Sequence, residues 1–245
     1  MTRFKTPRLA RLPIGHDTSK IVLNYLLEGN LVNRPAPRKT AQTAPRLRLT
    51  SDERQREIVA AVLALARERG PDAITTQAIA DRIGVTQGAV FRHFPDKEAI
   101  WLAVFAWVRV SLGEAINTAI ARHASPLAKI EAAFMAHVSF IAANPGVPRV
   151  LFHELQYPDD SPVRREVRKM MTAYGKRLGL LFNHARTAGE LPAGLNVALA
   201  PMLYIGAVQA LVVQSALAGD EAAMQKRARQ LFPLLLDGYR GTPAA

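Results

Sequence analysis

The chain has 245 residues, 49% of them hydrophobic, so it can bury a large core in one elongated domain or in a small domain and a larger one. It has no cysteine, which excludes disulfides, thiolate zinc sites and a cysteine nucleophile, and a reducing cytoplasm is the simplest compartment. No uninterrupted apolar run reaches the roughly 20 residues of a membrane span, and the N-terminus lacks the apolar core of a signal peptide. We therefore expect a soluble, unexported cytoplasmic protein without a membrane partner.

The net charge of +12 favours a polyanionic partner, but the charge is unevenly distributed. Residues 1–50 contain 10 basic and 2 acidic residues, whereas residues 51–100 contain 7 basic and 8 acidic ones. The first 50 residues are rich in Pro, Ala, Thr and Arg near their end, which predicts a basic, disordered extension. Two interpretations stay open. Residues 1–45 have no function or follow a start codon placed too early, or they form an arm along DNA in which Arg46 and Arg48 lie nearest the first helix.

From Ser51 onward the pattern of apolar residues is helical, without sustained strand alternation or an internal repeat. Ser125-Pro126 and Ser161-Pro162 each combine a helix cap with a first-turn proline, and Asn144-Pro145-Gly146 interrupts a helix. The predicted helices run from Ser51 to a break at Gly70-Pro71, and then over about 76–83, 87–94, 97–122, 126–143, 147–156, 162–188, 197–217 and 220–239. This predicts an all-α fold, with a three-helix DNA-binding domain over residues 51–97 and a helical effector-binding and dimerisation domain over residues 98–240.

The segment Ile74–Lys97 predicts a helix-turn-helix. Its first helix has a buried face of Ala78, Ile79 and Ile83, and Val85, Val90 and Phe94 attach the second helix to the same core. Gly84 falls where the turn between two crossed helices needs positive φ, which glycine adopts without steric cost.

The outward face of the second helix carries the residues that such a helix presents to base edges, namely Gln87, Gly88, Ala89, Arg92 and His93. Gly88 and Ala89 are small enough for close approach. Gln87 suits adenine, and Arg92 suits guanine or a phosphate.

Helix starts offer a second kind of contact. Thr76, Thr86 and Lys97 lie there, where backbone N–H groups and hydroxyls hold phosphates.

The same residues resemble the N-terminal domain of the TetR/AcrR family of bacterial regulators over about residues 55–103. The first helix ends AxxxG at Ala66–Gly70, and ITTQAIADRIGVTQGAVFRHFPDKEAI follows. The resemblance implies phosphate contacts from Thr76, Phe91 and Lys97. It also implies that six residues face or border the groove, namely Gln77, Gln87, Gly88, Ala89, Arg92 and His93. The family often has tyrosine where Phe91 stands, so Phe91 lacks the hydroxyl and packs against sugar or protein. His93 either contacts DNA or fixes the end of its helix.

Two copies are expected, because one small module reads too short a site for affinity and specificity. The segment Val197–Leu217 is apolar around most of its circumference, and the last helix adds further leucines. The resemblance implies a four-helix bundle between two chains through these last two helices. The alternative is ordinary intrachain core.

The resemblance also implies a small-molecule effector in the helical body. Its identity is not specified by the sequence. The candidate lining residues are aromatic walls with a few polar groups, as small-molecule sites prefer: Trp107, Phe134, His137, Phe152, Tyr174 and Tyr204, with Phe140 and Ile141 beside them.

Other classes of function are disfavoured. The chain has no P-loop, GxGxxG or GxSxG motif, and its histidines lack a metal-binding spacing, so we expect neither an enzyme nor a cofactor nor a metal site. The preferred hypothesis is a repressor released from a palindromic operator by its effector. The alternatives are a non-specific DNA-binding protein that uses its basic tail and a ligand-binding protein with a vestigial DNA unit.

Overall fold

The computed structural model describes residues 49–156, 160–220 and 222–241. These residues form nine α-helices and no strand, which confirms the all-α prediction. The proposed basic arm, including Arg46 and Arg48, lies outside the described residues. The helices are α1 (Ser51–Arg69), α2 (Thr76–Ile83), α3 (Gln87–Phe91), α4 (Lys97–Ile120), α5 (Pro126–Ala143), α6 (Gly146–Gln156), α7 (Pro162–Thr187), α8 (Ala200–Ala218) and α9 (Met224–Arg240), with a 3-10 turn at Pro71–Ala73 after α1.

Six of the nine described helices begin where a short polar side chain satisfies one of the first free backbone N–H groups. Thr50 and Glu53 form a reciprocal capping box at α1, in which the Thr50 N–H donates to the Glu53 carboxylate at 2.9 Å. Asp96 caps α4 by accepting from the Ala99 N–H at 2.7 Å. The two serine–proline starts predicted for α5 and α7 are also present.

Three predicted boundaries are wrong by a few residues. The third helix ends at Phe91 instead of Phe94, because the N–H groups of His93 and Phe94 both donate to the Val90 carbonyl and tighten the chain into a turn. α8 starts at Ala200 because the Asn196 side chain accepts from two N–H groups in the preceding turn. The last helix starts at Met224, since the Asp220 carboxylate accepts from the Ala223 N–H and holds a turn there.

The short helix α2 packs on α1, and α3 packs on α2. We call α1–α3 the head and the remaining helices the body; α4 packs on α1 and continues from the head into the body. In the body, α5 lies among α4, α7, α8 and α9, and α6 packs against α1. One continuous set of buried apolar side chains joins head and body. The predicted domain boundary between residues 97 and 98 falls in the first turn of α4 and stays a prediction.

Three of the described helices, α4, α5 and α8, are long and apolar enough to cross a membrane by length and composition alone. This differs from the sequence-based expectation, which considered uninterrupted apolar runs and therefore passed over helices with an occasional polar residue. In the folded chain each of the three supplies buried side chains to the core.

Candidate nucleic-acid interface

The base of the helix-turn-helix is a small buried cluster. Ile79 of α2, Val90 of α3 and the following Phe94 are buried, as predicted. Gly84 ends α2 in the left-handed region, at φ 65° and ψ 47°, and the Val85 N–H donates to the Ala80 carbonyl at 3.0 Å. The geometry required of Gly84 is therefore present, and it fixes how α3 leaves α2.

The outward face of α3 is smooth. Gln87, Gly88 and Arg92 are exposed, and Ala89 is half-buried. A Cβ at Gly88 would meet no atom of the protein within 4 Å. Because Gly88 and Ala89 have little or no side chain, a partner can approach the backbone of the first turn of α3 closely. The longer polar side chains of Gln87 and Arg92 lie on either side.

Gln87 and Thr76 are linked, since the Gln87 Nε2 donates to the Thr76 Oγ1 at 2.6 Å and joins the start of α3 to the start of α2. A hydroxyl that accepts one bond keeps its own proton to donate, so Thr76 retains a donor for a phosphate oxygen. Gln77 is tied within α2, because its Nε2 donates to Asp81 Oδ1 at 2.6 Å. Sequence reasoning had not predicted either contact.

Thr86 and Lys97 mark the starts of α3 and α4. The Thr86 hydroxyl caps α3 by accepting from the Ala89 N–H at 3.2 Å, so its proton is also free to donate. Lys97 is the first residue of α4, and its exposed ammonium lies 5.6 Å from the centre of the Trp101 ring, within cation–π distance. Both residues thus lie at the N-terminal ends of helices, as predicted for phosphate contacts.

His93 points back toward α1. Its Nδ1 lies 3.3 Å from the Ser51 hydroxyl, and its carbonyl accepts from Gln55 at 3.4 Å. Burial of the ring, with the nearby charges of Arg54 and Arg92, lowers the pKa of His93. These contacts favour the interpretation in which His93 fixes the end of the reading helix.

Phe91 behaves differently from a core aromatic. Its side chain is 44% exposed, so packing inside the protein does not account for it, and it remains available to deoxyribose.

A bidentate ion pair holds α2 against α1. Arg82 donates to both oxygens of the Glu68 carboxylate, at 2.8 and 2.5 Å, which lowers the pKa of Glu68 and raises that of Arg82. Such an exposed pair contributes little stability, and its main effect is on orientation. No local spacing rule predicts this pair, because the two residues are 14 positions apart.

Four of the six predicted effector residues, Phe134, His137, Tyr174 and Tyr204, lie in a packed aromatic cluster of the body. Trp107, the fifth, is buried in the core with its ring 5.8 Å from that of Phe140. Phe134, Trp107 and Tyr204 are buried, and the Phe134 and Tyr204 rings meet edge to face at 5.3 Å. The Tyr174 hydroxyl lies 3.1 Å from the His137 Nδ1 and donates to the Tyr204 hydroxyl at 3.3 Å. Burial lowers the pKa of His137 to about 4 and raises those of Tyr174 and Tyr204. This part of the body is an uncharged hydrogen-bonded chain within an aromatic core.

The sixth residue, Phe152, lies elsewhere, on a cavity of about 290 Å³ between α6 and the C-terminal half of α8. The cavity wall also includes Ile141 and residues of the α5–α6 connection. The structure thus separates the predicted effector residues into two places. Within the described residues, no group of three or more histidines and acidic residues is arranged to hold a metal ion.

The apolar surface predicted for dimerisation divides between the two faces of α8. Val208, Leu211 and Val212 are buried against the chain's own body. The opposite face exposes a stripe of large apolar side chains, which we call the α8 stripe: Leu199, Met202, Leu203, Val213 and Leu217. Leu234 of α9 is exposed as well. The buried face is ordinary intrachain core, and the dimer interface stays a prediction for the exposed face.

Comparison with known proteins places this architecture. The sequence model described as "Bacterial regulatory proteins, tetR family" matches residues 58–104. A curated relative, the nucleoid occlusion factor SlmA of Actinobacillus pleuropneumoniae serotype 5b (strain L20), is 30% identical over 110 residues, which are 44% of this chain and 54% of the relative. The chain thus spans about half the length of the curated relatives it matches.

Solved structures share the fold over most of the chain. The transcriptional regulator FadR from Bacillus subtilis in complex with stearoyl-CoA has a TM-score of 0.65 at 22% identity, covering 75% of this chain and 98% of FadR. A regulator of the TetR/AcrR family from Thermobifida fusca has a TM-score of 0.58 at 26% identity, covering 77% of this chain and all of the other. The helix-turn-helix over residues 58–104 is therefore that of the TetR family of bacterial regulatory proteins, and most of the chain shares the fold of solved TetR-family regulators.

Proposed function

We propose that this protein is a dimeric transcriptional regulator that reads duplex DNA with α3. The observation that carries the proposal is the outward face of α3. Small residues at Gly88 and Ala89 lie between Gln87 and Arg92, on a buried base that fixes their direction. The family match over residues 58–104 supports the proposal.

In this proposal the first turn of α3 enters the major groove. Gln87 hydrogen-bonds a base edge, favouring adenine, and Arg92 pairs with guanine or a phosphate. The free hydroxyl protons of Thr76 and Thr86 and the Lys97 ammonium contact phosphates from helix starts. His93 contributes indirectly, by holding the end of α3 against α1.

The α8 stripe supports dimerisation. A contiguous exposed apolar face on a helix already buried on its other side is typical of a protein interface, and Leu234 extends it onto α9. Two copies related by a two-fold axis would place the two α3 helices about 34–36 Å apart, on successive major grooves of a palindrome.

The regulator is proposed to be a cytoplasmic repressor that a small-molecule effector releases from its operator. The fold supports this, since the similar FadR structure is a complex with stearoyl-CoA. Effector binding in the body would favour another spacing of the two heads, and affinity for DNA would fall by the difference in free energy between the two states.

The test begins with selection of bound sequences from a random duplex pool, followed by footprinting on the selected site and on DNA upstream of the gene. A palindromic footprint is expected. Gln87→Ala and Arg92→Ala should each weaken operator binding by about 5- to 150-fold, since one base contact contributes about 1–3 kcal/mol.

The control is Arg122→Ala, an exposed arginine just beyond the far end of α4. This substitution also removes one positive charge, but at the far end of α4, a helix about 36 Å long. The variant should bind DNA as the wild type does. Deleting residues 1–45 should leave sequence selectivity intact. Loss of binding on that deletion, with no effect of Gln87→Ala or Arg92→Ala, would favour the non-specific tail hypothesis and contradict ours.

The SlmA relatives give a second candidate, nucleoid occlusion. Their match extends over 110 residues, well beyond the DNA-binding unit matched by the family model. Mapping the protein on the chromosome separates the two candidates. Occupancy at one or a few promoters supports the regulator, whereas many sites spread through the chromosome support the second candidate.

A further inference from the structure

The cavity between α6 and α8 has the dimensions and lining of a ligand site. Its volume of about 290 Å³ is close to the lower limit for small-molecule sites, which begin near 300 Å³. At about 30 Å³ for each water-sized group, it holds roughly ten non-hydrogen atoms. Most of the wall is apolar, formed by Ile141, Pro145, Pro148, Phe152, Val212, Val213, Leu217 and Met224.

Arg149 is the charged residue among the described residues of this wall. Its guanidinium donates one hydrogen bond, from Nη1 to the Arg67 carbonyl at 2.8 Å, at the end of α1. A guanidinium has five N–H donors in a planar fork, so the remaining donors can bind a carboxylate bidentately. No ion pair to Arg149 is present in the described part of the chain. Among the described residues, the positive charge of this wall therefore has no ion-paired carboxylate.

Ser215 supplies a second, independent observation. It lines the same cavity, its side chain is fully buried, and its hydroxyl has no hydrogen-bond partner among the described residues. A buried hydroxyl without a partner costs about 1–3 kcal/mol, so such groups are rare unless something else satisfies them. A polar atom of an occupant of the cavity would satisfy this one.

We propose that this cavity binds a small apolar carboxylate of about ten non-hydrogen atoms. Its apolar body fills the space between α6 and α8, its carboxylate pairs with Arg149, and the Ser215 hydroxyl donates to one of its oxygens. The site is separate from the aromatic cluster around Tyr174, which is uncharged and packed. As a binding site it is independent of DNA recognition, and as the site of the effector it rests on the proposed function.

The cavity borders the α8 stripe, since Val213 and Leu217 belong to both. In the proposed dimer a second copy would cover the outer side of these two residues and shield the apolar part of the ligand from water. Arg149, on α6, lies on the other wall of the cavity and reaches toward the head. The ligand would therefore lie at the meeting point of head, body and interface.

The test is calorimetric titration of the full-length protein with octanoate, which has ten non-hydrogen atoms, and with 1-octanol as the uncharged analogue. We expect octanoate to bind at least tenfold more tightly than 1-octanol. Arg149→Gln should weaken octanoate binding at least tenfold and leave 1-octanol unchanged. Ala216→Phe, which fills the cavity from its rim, should abolish binding of both. Arg122→Gln is the matched control and should bind octanoate as the wild type does.

Thermal unfolding of each variant shows that it is folded, and no DNA is present, so failure here is distinct from failure of the proposed function. Equal affinity for octanoate and 1-octanol would overturn the proposal. So would octanoate binding that is unchanged in Arg149→Gln or in Ala216→Phe, or an absence of octanoate binding to the wild type at 10-fold the concentration of protein and above, up to the solubility of the probe.

Discussion

A substitution at Gly88 gives the sharpest test of whether the outward face of α3 contacts DNA, because its effect on DNA binding can be separated from its effect on folding. A Cβ at this position would meet no neighbouring atom within 4 Å. We therefore expect Gly88→Leu to fold without a clash in the free protein. It also removes the extra conformational entropy of glycine in a helix, which is worth about 0.5–1 kcal/mol in favour of folding. The midpoint of thermal unfolding should stay the same or rise by a few degrees.

On DNA the same change acts in the opposite direction. The added side chain projects from the first turn of α3, between Gln87 and Ala89, and holds that turn away from the base edges. Loss of two base contacts, at about 1.5 kcal/mol each, weakens operator binding by about 3 kcal/mol. That corresponds to a dissociation constant higher by about 100-fold.

The assay is an operator titration at fixed salt, beside thermal unfolding of the same samples. Gly175→Leu is the matched control, since Gly175 in α7 also has open space around its Cβ position and lies in the body. Gly84→Ala is the complementary control, because the left-handed conformation at φ 65° costs a residue with a Cβ about 1–2 kcal/mol of stability. A folded Gly88→Leu protein that binds the operator within twofold of the wild type would refute the assignment of α3's face.

Three further predictions concern the body. Burial lowers the pKa of His137 to about 4, so the unfolded chain, with an ordinary histidine pKa near 6.5, binds the proton first as pH falls. Stability should fall by about 2 kcal/mol from pH 7 to pH 5, and His137→Gln should lessen this loss in denaturant titrations, whereas an unchanged pH dependence would contradict it. Gly146→Ala should lower the free energy of unfolding by about 1–3 kcal/mol, because the added Cβ would lie 2.2 Å from the Leu63 carbonyl oxygen. An unchanged unfolding midpoint would show that α6 can shift on α1 to accommodate it. Met202→Glu, at a side chain 69% exposed on the α8 stripe, should yield monomers by sedimentation, whereas Leu180→Glu, 62% exposed on α7, should not; a dimer in both cases would place the interface elsewhere.

Local patterns in the sequence were enough for the helices and for the base of the reading unit. The capping residue Asp96, the serine–proline starts and Gly84 each act within one turn of the chain, so their effect is visible in a short window. Two of the three boundaries that differ were set by side chains a few residues away, Asn196 and Asp220, which accept from backbone N–H groups just before the helix. The third, at Phe91, was set by the Val90 carbonyl, which accepts from two N–H groups.

What local patterns did not provide depends on contacts between distant segments. The Glu68–Arg82 pair joins α1 to α2, and the link between Gln87 and Thr76 joins the starts of α3 and α2. Aromatic spacing found the cluster around Tyr204, but it did not distinguish a packed core from a cavity wall, because both use the same residue types. Phe152 faces the cavity for a reason absent from its own neighbourhood in sequence, namely the position of the C-terminal half of α8.

Helix α6 contacts both the cavity and the head. Pro148 and Phe152 lie on the cavity, while the same helix meets the head through Gly146 against the Leu63 carbonyl and through His153, whose Nδ1 is 3.5 Å from the Asp72 carboxylate. The approach at Gly146 is too close for any larger residue, so α6 and α1 move together or separate at that point.

Arg149 contacts both the cavity and the end of α1. It lines the cavity, and its guanidinium donates to the Arg67 carbonyl, one residue before the Glu68 that pairs with Arg82 of α2. A carboxylate that draws this guanidinium into the cavity would release the end of α1, and the ion pair would pass that displacement to the reading unit. A displacement of a few ångströms at Arg149 would then bias the position of α3, because the hydrogen bond to Arg67 and the Glu68–Arg82 ion pair are direct contacts.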